Sequence, residues 1–130
     1  MITPPKDKQL YETTIATYWF GDNGLLTSVS KNPTRTVANT TESFALIRRI
    51  TNGKKQPLLV YMCPSGMPDK ATRDFVAANL PTVYTAMAMV SKGGLGTMVM
   101  NILFKFKPPA IPMKSFSNDA DAKEWLKGYM

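Results

Sequence analysis

Histidine is absent from this 130-residue sequence, and cysteine occurs once, at Cys63. Histidine is the commonest metal ligand and the commonest general base near neutral pH, so most metal-centre and triad chemistry has no starting point. A single cysteine excludes an intramolecular disulfide and gives no sign of an oxidising compartment, which makes the cytoplasm the expected location. Acidic residues are scarce as well, 9 against 16 lysines and arginines, for a formal charge of +7. From Phe75 to Asn118 there is no Asp or Glu. The longest apolar run is broken by Asn101 and closed by Lys105, too short to cross a membrane, and the start MITPPKDKQLYE has no apolar signal core. No catalytic residue, cofactor or metal site is expected.

The chain length suits one domain over residues 1–130, able to bury roughly two thirds of its unfolded surface. A charge of +7 suggests anionic partners, but the basic residues are spread over both halves with no run of five or six, so nucleic acid is disfavoured.

Leu10 to Phe20, rich in Thr, Ile, Tyr, Trp and Phe, reads as a strand. The turn cluster Gly21-Asp22-Asn23-Gly24 and the resumption at Leu25–Val29 make a hairpin. A loop over residues 30–36 leads to a helix over 39–52, with Phe44, Ile47 and Ile50 on one side and Gly53 as its C-terminal cap. PLLVYM, residues 57–62, has the continuous apolar character of a central strand covered on both faces. Asp69 caps the next helix, which directs Ala71, Phe75 and Ala78 inward and stops before Pro81. Residues 82–90 form a further strand, 94–106 a helix and 111–116 a last strand. Asn118 caps a final helix that buries Ala122, Trp125, Leu126, Tyr129 and Met130. The order β-β-α-β-α-β-α-β-α predicts an α/β fold with a mixed, mostly parallel five-stranded sheet and about four helices.

The helix over 94–106 carries apolar residues on two faces. Leu95, Met98, Val99, Ile102, Leu103 and Phe106 form the ordinary core stripe, whereas Met100 and Phe104 point away from it with Lys105 and Lys107 close behind. Apolar residues beside lysines suit a homodimer contact or another protein partner, and these four residues are the predicted contact site. The rival reading is a lipid or other apolar ligand, or a membrane surface, met by an outward movement of the same helix. The glycines Gly93, Gly94 and Gly96 lack the Gly-Lys-Ser/Thr ending of a phosphate loop and read as a strand-to-helix turn.

The element order, together with TNGKKQPLLVYM, the segment Ala71-Thr72-Arg73-Asp74-Phe75 and the C-terminal KFKPPAIPMKSFSNDADAKEWLK, resembles the STAS and SpoIIAA-like domains, in particular the uncharacterised bacterial STAS-like branch. The resemblance covers nearly the whole chain. It implies a non-enzymatic regulatory or protein-interaction domain. Well-known members are switched by phosphorylation of a serine in an Asp-Ser-Ser-Gly segment that starts the helix after the central strand. The matching residues here are Asp69, Lys70, Ala71 and Thr72, with alanine at the phosphoacceptor position. With Cys63, which sits just after the central strand where α/β proteins place ligands, Ser65, Asp69 and Thr72 are the candidate ligand or regulatory loop; the structural alternatives are a small buried residue for Cys63 and helix-start and turn roles for Thr72 and Ser65.

Overall fold

Aromatic residues in one strand and β-branched and small polar residues in the other make the first hairpin, in which β2 (Ala16–Phe20) and β3 (Leu26–Ser30) pair antiparallel from Ala16↔Ser30 to Phe20↔Leu26. The computed structural model describes residues 3–63, 68–91, 98 and 110–130 of the chain. The predicted first strand is two strands: β1 (Tyr11–Glu12) folds back antiparallel on β2. Thr13 causes the break, since its amide and hydroxyl both donate to the Ala16 carbonyl, at 2.9 and 3.2 Å, and close a tight turn. Among the described residues the sheet therefore has six strands rather than five.

The remaining strands are β4 (Gln56–Tyr61), β5 (Tyr84–Val90) and β6 (Met113–Phe116), in the sheet order β1-β2-β3-β4-β5-β6. β3 to β6 run parallel, so β4 is flanked on both sides as its apolar run predicts. Between them lie α1 (Val37–Ile50) and α2 (Lys70–Val83), and α3 (Asp119–Leu126) follows β6. The predicted helix 94–106 falls largely outside the described residues. Met98, assigned to its core stripe, is helical but 53% exposed.

Each helix starts where a side chain replaces a missing backbone partner. Thr36 and Asn39 form a reciprocal capping box on α1, at 3.1 and 2.7 Å. Asp69 accepts from the Thr72 amide at 2.8 Å, and Asn118 from the Asp121 amide at 2.9 Å.

α2 continues through Pro81 to Val83, past its predicted end. The Thr82 hydroxyl donates to the Asn79 carbonyl at 2.7 Å, and the Tyr84 amide donates to the Leu80 carbonyl. Its buried side is Thr72, Leu80 and Val83 with Phe75 and Val76 beside them, while Ala71 and Ala78 are exposed. Turning the larger side chains toward the sheet removes more apolar area from water than burying two alanines. α3 buries Ala122 and Leu126, but Tyr129 and Met130 are 36% and 57% exposed, because the chain tightens into a 3-10 turn at Lys127 and leaves the buried stripe.

The pleat sorts side chains into two layers. Leu58 and Val60 join α1 and α2 on one face, and Leu59 and Tyr61 join α3 on the other. In β5 an irregularity opposite Gln56 and Leu58 breaks the alternation and brings Tyr84 and Met87 to the same layer.

Candidate functional site

The sheet face under α1 and α2 carries a half-enclosed cavity of about 360 Å3. Its floor is the sheet, from Tyr18 and Ser28 through Leu58, Val60 and Met62 to Met87, Met89 and Met113, and its walls include Phe44 of α1 and Val76 and Leu80 of α2. Among the described residues five methionines line it, Met98 included. Methionine is unbranched and polarizable, so such a wall can adapt to the shape of an occupant.

The polar groups of the cavity are unevenly placed. α1 presents Thr40 and Ser43 on the same buried face as Phe44 and Ile47, with the polar pair toward the helix start. Ser43 Oγ is 2.8 Å from Thr13 Oγ1, and Ser43 also bonds Tyr18, which bonds Tyr84. Burial, the largest influence, pushes both phenols above their ordinary pKa; Tyr84 is raised further by Tyr18, whereas hydrogen bonding from Ser43 partly offsets the rise at Tyr18. Both are therefore neutral hydrogen-bonding groups at physiological pH. The Thr40 hydroxyl oxygen is buried without a hydrogen-bond partner, although Thr41 and Thr51 of the same helix segment donate to the carbonyls four residues back.

Two arginines line the cavity, and no Asp or Glu does so among its described residues. Arg35 precedes the α1 cap and donates to the Lys31 carbonyl at 3.2 Å and the Ile15 carbonyl at 3.3 Å. Its pKa is lowered, by desolvation first of all, with Tyr18 and Cys63 acting the other way. Arg73, in the first turn of α2, donates to the Pro68 carbonyl at 2.7 Å. Lys31, Ile15 and Pro68 all lie at the end of the sheet where the parallel strands β3 and β4 finish. In open α/β sheets this carboxyl edge is where ligands bind.

Of the residues singled out in the sequence, Cys63 lines the cavity, where its Sγ donates to the Ser30 carbonyl at 3.0 Å. Asp69 and Thr72 bond each other at the start of α2; Thr72 is 1% exposed and does not line the cavity. Ser65, Met100, Phe104, Lys105 and Lys107 lie outside the described residues. Arg35, Thr40, Ser43 and Arg73 were not anticipated as site residues. The available signal was Thr40 and Ser43, polar residues one turn apart on the stripe that continues into Phe44 and Ile47.

The family model described as a domain of unknown function, DUF7793, matches residues 18–130, and the chain belongs to that family. No match is found among curated proteins. A solved structure, an uncharacterised protein of the DUF3478 family with a SpoIIAA-like fold from Shewanella loihica PV-4, is similar over 92% of this chain and 91% of that one. The TM-score is 0.57 and the sequence identity 16%. The architecture is thus SpoIIAA-like, as the sequence pattern predicts. No helix among the described residues is long and apolar enough to cross a membrane.

Proposed function

We propose that this member of the DUF7793 family is a non-enzymatic binding domain whose cavity, between the sheet and helices α1 and α2, receives a small apolar molecule. The observation that carries this reading is the cavity itself, about 360 Å3 in volume and walled mainly by aliphatic, aromatic and methionine side chains. Natural cores are close-packed, with few voids larger than a water molecule. Ligand sites, in contrast, are concave, mostly apolar spaces of ~300–1,000 Å3 with a few placed polar groups. The lack of histidine and the hydrogen-bonded state of Cys63 favour binding over covalent or acid-base chemistry.

The test uses a neutral fluorescent apolar probe, N-phenyl-1-naphthylamine, and the variant Val76→Trp. Val76 is half-buried on α2 and faces the space, so the indole occupies volume that the probe needs. The wild type should bind one probe per chain with a blue shift in emission, and a folded Val76→Trp should bind at least tenfold more weakly. Absence of binding to the folded wild type, or equal binding by both proteins, rejects the cavity as a ligand site.

A further inference from the structure

Resting on that reading, we infer that the occupant is an amphipathic carboxylate, its chain directed toward Leu58, Leu80 and Met87 and its charged head at the carboxyl edge of the strands, where Arg35, Arg73 and Thr40 stand. Arg35 and Arg73 are the charged groups among the described lining residues, and both are cationic. Each guanidinium is held by backbone carbonyls, through Lys31 and Ile15 for Arg35 and Pro68 for Arg73, and so is positioned before any ligand arrives. A guanidinium offers the paired donors that a carboxylate accepts, and Asp69, whose charge interacts with that of Arg73, is exposed and does not line the cavity. The positive end of α1 begins immediately after Arg35 and reinforces the same preference.

The second observation is independent of charge. Thr40 is 4% exposed, lines this cavity and has a hydroxyl oxygen with no hydrogen-bond partner. Buried polar groups are nearly always satisfied, so a donor left over in a cavity that two arginines also line points to an acceptor supplied from outside the chain. Tail direction follows from the topology: Leu58 lies near the start of β4 and Leu80 near the end of α2, away from the carboxyl edge, and both line the cavity with Met87. Capacity sets the length. At about 360 Å3 the cavity lies at the small end of ligand sites, which suits a medium-chain acid of about ten carbons.

Calorimetric titration with decanoate and with decan-1-ol at pH 8 tests the inference, because the two chains match and only the first carries charge. Wild type should bind decanoate at least tenfold tighter than decanol. Thr40→Val and Arg73→Gln should each reduce that preference severalfold while leaving decanol affinity within twofold. Thr40→Val should also raise the melting temperature of the ligand-free protein, since it removes an unsatisfied buried hydroxyl; a merely structural threonine would lower it. Equal affinity for acid and alcohol, or a preference unchanged in both variants, overturns the carboxylate assignment and leaves the apolar cavity standing. Failure of both ligands, with no naphthylamine binding either, overturns the cavity reading as well.

Discussion

Asp69 is a residue whose role could be read before its surroundings were known. An aspartate two positions before an amphipathic run has a carboxylate ready for the amides that open a helix, and Asp69 does accept from the Thr72 amide at 2.8 Å. That hydrogen bonding, from the Thr72 side chain and amide, holds its pKa below the ordinary 3.8. Glu42 is held below 4.5 by Thr14, whose amide donates to it at 2.8 Å. A carboxylate with a depressed folded-state pKa contributes stability above its unfolded value, and this contribution disappears as pH falls through the folded value. Both groups should therefore steepen the loss of stability below about pH 4.5. In Asp69→Asn/Glu42→Gln, which keeps an oxygen acceptor at each site, urea midpoints measured from pH 7 to 2.5 should fall less steeply. An acid limb as steep as that of the wild type would place the responsible protonation elsewhere. Arg35 and Arg73 are different cases, because nothing in their neighbours in sequence shows that they face one space; only the crossings from β3 to α1 and from β4 to α2 bring them to it.

At the scale of elements, caps and apolar periods reveal the helices better than their buried sides. The end of α1 is explicit in the letters: Asn52 and Gly53 take φ of 54° and 75°, and their amides donate back to the carbonyls of Arg49 and Arg48, closing a Schellman motif. A methyl group at Gly53 would meet nothing within 4 Å, so the cost of Gly53→Ala is the left-handed backbone alone, about 1 kcal/mol. Urea unfolding should show a lower midpoint at unchanged slope, with Gly53→Asn losing less. A much larger loss would require a packing role that this open position does not have. α2 was harder to read. Pro81 is a stop signal in isolation, yet the Thr82 hydroxyl takes up the Asn79 carbonyl and the helix gains a turn that buries Val83. The poor alternation of residues 82–90 has a physical cause too, the irregularity that sets Tyr84 and Met87 on one layer.

For the molecule as a whole, the alternation of apolar runs and helices was enough to anticipate a mostly parallel sheet between helical layers. The cavity was not legible, because its walls come from β2 to β6, α1 and α2, and no short stretch of sequence contains the pattern. The two layers make a further prediction possible. Leu126 of α3 is fully buried on the face opposite the cavity, packed with Leu59, Ala86 and Ala88. Leu126→Ala should cost about 3 kcal/mol through lost burial and the space left behind. Decanoate at a hundred times its Kd should in turn stabilise the folded state by about 2.7 kcal/mol if it binds that state alone. With the sheet between the two sites and no shared side chain, the effects should add, to within about 0.5 kcal/mol. Urea unfolding of wild type and Leu126→Ala, each with and without decanoate, completes the cycle. Equal ligand increments mean that the face under α3 serves only to hold the sheet, whereas a reduced increment in the variant means that packing beneath β4 and β5 sets the shape of the cavity above them.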